Sequence, residues 1–308
     1  MTVRVVFLGN DPWSVPPLEA LVRAGGIEVA LVVTRGPKPA GRGSTLTPTK
    51  VAEAAGALVL PLLETETVRS GAGLAALRDA RPDSLVVVAY GEILTPEVLA
   101  VAVPVNLHFS LLPRWRGAAP VQRALLAGDD VTGVTVMRMD EGLDTGPVLA
   151  QIEDPIRPQD DAGSLGARLA DVGGSILAET LRRLTAIDPE PQDDALATLA
   201  PKLSTDERLI DWSMPARAIE RRVRALAPEP GASTRFRGGV FKVLRVRAEV
   251  DATSGEPGSI GHPRRDGVPV AAGDGIVVLL DVAPAGRKRM PASDWARGAR
   301  LGSDERFT

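Results

Sequence analysis

The run Ser84-Leu-Val-Val-Val-Ala-Tyr90 constrains the fold more than any other stretch of the chain. It carries no charge and is apolar on both faces, so as a strand it must be covered on both sides. That predicts a central strand of a sheet with helices packed above and below. The chain around it alternates in the matching way. Strands are expected at 3–8, 28–34, 58–62, through Asn106, at 132–139 and at 148–156. Helices are expected at 16–24, 48–56, 73–80, 96–101, 120–127 and 165–184. Strand–helix–strand alternation predicts an α/β fold with a doubly wound, mostly parallel sheet. In such sheets ligands sit beyond the carboxyl ends of the strands. The first turn, Gly9-Asn-Asp-Pro12, lacks the G-x-G-x-x-G spacing, so no nicotinamide cofactor is expected.

A chain of 308 residues has room for two domains. The first is expected at 1–189. Residues 190–207, rich in Pro, Asp and Ala, read as a linker. The second, 208–308, opens with Ile210-Asp-Trp212 and an amphipathic helix over 215–226. Ile219, Val223 and Leu226 form its apolar stripe, with Arg217, Arg221 and Arg224 elsewhere. Short strands at 239–250, 258–262, 268–272 and 275–282, broken by Gly, Pro and Asp turns, predict a small OB-like β-barrel. Residues 1–207 carry a net charge of −9 and residues 208–308 one of +6. A basic attachment on an acidic body points to a polyanionic partner. Gly286-Arg-Lys-Arg289 adds a basic tip.

The absence of cysteine excludes disulfides, thiolate nucleophiles and cysteine-held metals. With His108 and His262 as the whole histidine complement, no metal site is expected. The N-terminal apolar run is too short for a signal peptide. No run approaches the roughly 18 apolar residues of a membrane span. A cytoplasmic protein without a membrane partner is expected.

Chemistry concentrates in Asn106-Leu-His-Phe-Ser-Leu-Leu-Pro-Arg-Trp-Arg-Gly117. On an extended chain Asn106, His108 and Ser110 share one face. A histidine takes and gives protons near neutral pH, and an asparagine amide can meet a developing oxyanion. A carboxylate beside His108 would orient it. Asp144, in Asp140-Glu-Gly-Leu-Asp-Thr-Gly-Pro147, is the best candidate, with Asp140 the alternative. Ser110 has no second histidine to activate it and is not read as a nucleophile. The residues alone reach an acid–base site that handles a carbonyl group, such as one attacked by an amine.

Asn106-x-His108, Ser110-Leu-Leu-Pro113 and Asp144 resemble the folate-dependent formyltransferases. Four further segments resemble the members that formylate methionyl-tRNA: the extension Arg114-Trp-Arg-Gly-Ala-Ala-Pro-Val-Gln122, residues 87–91, residues 133–146 and Ile210-Asp-Trp212. The resemblance covers nearly the whole chain. It implies that Asn106, His108 and Asp144 are catalytic and that Ser110, Leu111, Leu112 and Pro113 border the folate. It implies 10-formyltetrahydrofolate as formyl-donor co-substrate, initiator methionyl-tRNA as acceptor, and a monomer. Arg42, within Ala40-Gly-Arg-Gly43, would contact tRNA near its acceptor end. A nucleotide-sugar or glycinamide ribonucleotide formyltransferase, or a non-catalytic RNA-binding protein on the same scaffold, are the alternatives. The chain departs from the family at Asn10-Asp-Pro-Trp-Ser14, where Thr-Pro-x-Phe is usual, and at 227–232, where a more aromatic segment is usual.

Overall fold

A computed structural model describes residues 2–40, 45–250, 252, 255–302 and 304–308. Arg42 lies outside the described residues. Backbone contacts divide the chain into two compact units. The first comprises Met1–Pro120, Val131–Pro155 and Gly166–Ala200. The second comprises Val121–Asp130, Ile156–Leu165 and Pro201–Thr308.

The strands are β1 (Val3–Gly9), β2 (Ile27–Thr34), β3 (Lys38–Ala40), β4 (Thr45–Thr47), β5 (Leu62–Glu64), β6 (Ser84–Val88), β7 (Val103–His108), β8 (Val131–Arg138) and β9 (Val148–Pro155). Strands β10 (Ala232–Phe236), β11 (Gly239–Glu249), β12 (Val268–Ala272), β13 (Gly275–Pro284) and β14 (Met290–Pro291) follow. The helices are α1 (Val15–Arg23), α2 (Lys50–Ala57), α3 (Gly71–Asp79), α4 (Pro96–Leu99), α5 (Pro120–Ala127), α6 (Ala162–Arg182), α7 (Ala216–Leu226) and α8 (Ala292–Ala299).

In the first unit seven strands run in the order β5-β2-β1-β6-β7-β8-β9. The pairings are parallel from β5 to β7 and antiparallel from β7 to β9. As expected, β6 is central, and all five of its residues are buried. Burial on both faces explains its unbroken apolar sequence. Val6, Leu8, Leu77, Leu85 and Val87 belong to one core layer. The turn after β1 closes with its own aromatic contact. Trp13 packs edge-on against Phe109, with ring centroids 5.9 Å apart.

Residues 58–62 depart from the expected strand. The backbone N–H of Leu58 bonds back to α2, Val59 is 90% exposed with φ 56°, and pairing begins only at Leu62. A five-residue apolar run at a helix end does not distinguish a strand from a helix exit. The 35–49 loop instead contains the β3–β4 hairpin.

The second unit carries an antiparallel sheet ordered β10-β11-β13-β12, with β14 paired to β13. Strand β10, strand β14 and helix α8 were not legible in the sequence. Segment 258–262 makes isolated bridges rather than a strand. The core combines the α7 stripe Ile219, Val223 and Leu226 with Val270, Val277 and Leu279. Its aromatic centre is Phe241, Trp295 and Phe307, with ring centroids 4.7–5.9 Å apart. This concentrates a scarce resource: aromatics are 3% of the chain.

Candidate active site

Strand β7 positions the site through its register. Asn106 lies opposite Val87 of β6 and Met137 of β8, and His108 lies opposite Thr135 of β8. Both side chains are buried. Asp144, on the turn after β8, closes the group. Its Oδ1 is 3.4 Å from Asn106 Nδ2 and its Oδ2 is 3.6 Å from His108 Nδ1. The second distance is longer than a hydrogen bond, and a small approach makes it one when Nδ1 carries a proton, since a bare Nδ1 and a carboxylate both only accept. Of the two aspartates that sequence left open, Asp144 meets the histidine. Asp140 accepts from Gly142 N–H and Thr145 Oγ1–H within its own turn.

The surroundings fix the histidine's proton. His108 Nε2 is 2.9 Å from the carbonyl oxygen of Trp115. A carbonyl only accepts, so Nε2 carries the hydrogen and Nδ1 is the nitrogen free to exchange a proton. Trp115 turns that carbonyl inward from a left-handed backbone, φ 65°. Asp144 is also left-handed, φ 54°. Such conformations cost of order 1–3 kcal/mol and persist where neighbours over-determine them. One neighbour is Gly117, whose N–H donates to Asp144 Oδ2 at 2.8 Å. At Gly117, φ 126°, a side chain would be strained, and its Cβ would lie 2.8 Å from the Ala200 carbonyl oxygen.

Ser110 does not join the trio. It is fully buried, and its hydroxyl donates to the Arg114 carbonyl at 2.6 Å. The segment from Ser110 to Pro113 is stapled from β8 and β9. Thr135 Oγ1 donates to the Ser110 carbonyl at 2.6 Å and accepts from Leu112 N–H at 3.1 Å. Gln151 Nε2 donates to the Leu112 carbonyl at 2.8 Å. All four carbonyls of this segment and the Leu112 N–H are bonded inside the fold, and Leu111 and Pro113 are half-buried apolar side chains.

A cavity of about 430 Å³ opens at the carboxyl ends of β1, β2 and β6, lined by Asn10, Arg35, Lys38, Arg69, Tyr90 and Glu92. Burial would raise the Glu92 carboxyl. Hydrogen bonds from Thr67, Arg69 and the Val68 N–H outweigh burial and hold the carboxyl below the usual carboxylate range. Burial foremost, then the Glu92 charge, pushes the Tyr90 phenol up. Among the described residues no group of three or more His, Asp or Glu is placed to hold a metal ion. Nor is any helix long and apolar enough to cross a membrane.

In the second unit much of the positive charge is spent on the fold. Arg224 donates to the carbonyls of Asp160 and Arg157, and Arg221 to that of Ala127. Arg237 pairs with Glu305, and Arg247 and Arg264 with Glu249. Arg217, Arg287 and Lys288 are exposed.

Comparison with known proteins decides the family. The sequence profile described as formyl transferase matches residues 3–181, and the formyl transferase C-terminal domain matches 202–300. A methionyl-tRNA formyltransferase of Roseiflexus castenholzii is 46% identical over 311 aligned positions, covering 100% of this chain and 99% of that protein. The chain belongs to the methionyl-tRNA formyltransferase family. Another member, from Thermus thermophilus, is 47% identical over 96% of each chain. Among solved structures, HypX from Aquifex aeolicus in complex with tetrahydrofolic acid shares the fold. It has a TM-score of 0.66 at 19% identity, covering 96% of this chain and 47% of that one.

Sequence reasoning named Asn106, His108 and Asp144, which the structure brings together, and missed the groups around them: the Trp115 carbonyl, the Gly117 N–H and Gln192 beside the three, and Thr135 and Gln151 behind Ser110 to Pro113. Gly117, in an otherwise ordered loop, was the one legible signal.

Proposed function

We propose that this chain transfers the formyl group of 10-formyltetrahydrofolate to the α-amine of methionine on initiator tRNA. The observation that carries the reading is the convergence of Asn106, His108 and Asp144 in a chain that matches the methionyl-tRNA formyltransferase family over its full length. The donor supplies a formyl carbon bound to nitrogen. As the amine nitrogen bonds to that carbon, negative charge grows on the formyl oxygen. Asn106 Nδ2 has two hydrogens; one faces Asp144 and the other is available to the oxygen. The proton leaving the amine passes to the pair formed by His108 Nδ1 and Asp144, which returns it to the departing folate nitrogen as its bond to the formyl carbon breaks. The bond to Trp115 keeps Nε2 out of this exchange.

Ser110 to Pro113 fit a folate wall. Their four carbonyls and the Leu112 N–H are bonded inside the fold, so Leu111 and Pro113 offer apolar surface to a flat ring. Residues 1–189 carry the chemistry and 208–308 hold the tRNA, joined by 190–207. Arg42 contacts the acceptor end, and Arg35 and Lys38 place further positive charge on the same unit. The exposed Arg217, Arg287 and Lys288 suit phosphates, which supply affinity and little sequence information. On this reading the chain acts in the cytoplasm as a monomer.

The test is incubation with 10-formyltetrahydrofolate and methionyl initiator tRNA, with glycinamide ribonucleotide and an amino-sugar nucleotide as parallel acceptors. Formyl-methionine on the tRNA is the expected product. Free formate alone, or formylation of a small acceptor instead, overturns the reading.

A further inference from the structure

We propose that Gln192, backed by Arg116, is a positioning residue that sets the orientation of Asp144 and through it the state of His108. The inference rests on the reading of Asn106, His108 and Asp144 as the reacting trio. Gln192 lies in the stretch read from sequence as a featureless linker. In the first unit that stretch is bonded along its length to the two loops that build the site. Glu190 exchanges two backbone hydrogen bonds with Val148, just after the Asp144 turn. Thr198 Oγ1 accepts from Trp115 N–H, and the Thr198 carbonyl accepts from Arg116 N–H. The Ala200 N–H donates to the Arg116 carbonyl, and the Ala200 carbonyl accepts from Ala119.

Gln192 joins the two loops. Its Nε2 donates to the carbonyls of Asp144 at 2.9 Å and Gly146 at 2.6 Å. Its Oε1 accepts from Arg116 Nε at 3.0 Å. Both amide hydrogens and one oxygen lone pair are therefore used, a set that only a carboxamide supplies. Arg116 is 6% exposed, and its Nη2 donates to Asp194. Its chain neighbours are the groups that touch the trio: Trp115, whose carbonyl meets His108, and Gly117, whose N–H meets Asp144. The bonds form a closed circuit. The Asp144 carboxylate is gripped by Gly117, its carbonyl by Gln192, and Arg116 ties the two grips together. Holding the carbonyl fixes the peptide plane after Asp144, and with it the left-handed backbone that aims the carboxylate at Nδ1. None of these groups touches the reacting atoms.

The test compares wild type with Gln192→Met, which keeps the length and removes the polar atoms, and Gln192→Glu, which keeps the acceptor for Arg116 and replaces the donor. Each is made in a His262→Gln background, so that His108 is the one histidine. Thermal unfolding, steady-state kinetics and the ¹⁵N spectrum of His108 at about pH 9, where imidazole is neutral, are recorded. Both variants are expected to fold, with kcat reduced on the order of tenfold to hundredfold by misaimed groups and KM for donor and tRNA held within about twofold. The wild-type His108 signal is expected to show hydrogen on Nε2, and the variants a mixture of tautomers. Wild-type turnover in Gln192→Met overturns the proposal, as does a loss that merely tracks the unfolded fraction or leaves the His108 spectrum unchanged. If wild type formylates no tRNA, the functional reading falls, and the His108 spectrum still decides whether Gln192 sets the site.

Discussion

Strand β7 and the segment 187–200 both border the candidate site, and they were written in the sequence in different ways. On β7 the side chains do the work at a fixed spacing, so the period of two reveals which residues share a face. Segment 187–200 works through backbone amides and one carboxamide, and it has no period. Its backbone groups bond to residues 113–119 and to Val148, and the Gln192 carboxamide to Asp144 and Gly146, all far away in sequence. Pattern reading detects residues that face a core or a ligand. It is blind to residues that hold a loop by its carbonyls.

The largest effect should come from the strand side of the comparison. His108→Ala and Asp144→Asn are each expected to cut turnover by roughly 10²–10⁴-fold without loss of folded protein. In Asp144→Asn the amide oxygen can still accept from Gly117, while its NH2 then faces the Asn106 Nδ2 that donated to the carboxylate. Asn106→Ala should cost roughly 10²–10³-fold in kcat, the value of one oxyanion donor, measured with both substrates saturating. A pure KM effect would recast Asn106 as a binding group.

The third effect belongs to the segment side and is read as stability. Arg116→Met leaves the Gln192 oxygen without its donor, and an unmatched buried polar group costs about 1–3 kcal/mol. Thermal unfolding should move down by several degrees. No shift would mean that the segment rests on the site loops without being fastened to them.

Much of the fold could be read before any coordinates. The central strand, the order of alternation and the apolar stripe of α7 follow from burial, which leaves a periodic trace. Asn106 and His108 were legible because they share a strand face; the Gly-broken turn narrowed the carboxylate to Asp144 or Asp140, and the family resemblance singled out Asp144. The reasons for the misses are physical. Residues 58–62 are an apolar helix exit, β10 is short and partly polar, and α8 is an eight-residue helix in a charged context. The basic character of the second unit was visible as a sum. Its division between arginines bound to carbonyls and arginines exposed to solvent was not, because a sum carries no partners.

The smallest expected effect tests the neighbouring strand end. The Glu92 carboxyl is held below its ordinary value, 4.5, by Thr67, Arg69 and Val68. A depressed carboxyl contributes stability that is present above its unfolded value and lost as pH falls through its folded value. Wild type should therefore lose more stability than Glu92→Gln on acidification from pH 6.5 to about 3.5, read as urea midpoints. Equal losses would show that the Glu92 anchors carry no net stability.

The measurement that tests the central claim most directly is turnover of the double variant His108→Ala/Asp144→Asn beside its two single variants. Residues that act as one unit are non-additive, so the double variant is expected within about threefold of the slower single. Losses that multiply would contradict the account, because they would make His108 and Asp144 independent groups that happen to lie 3.6 Å apart.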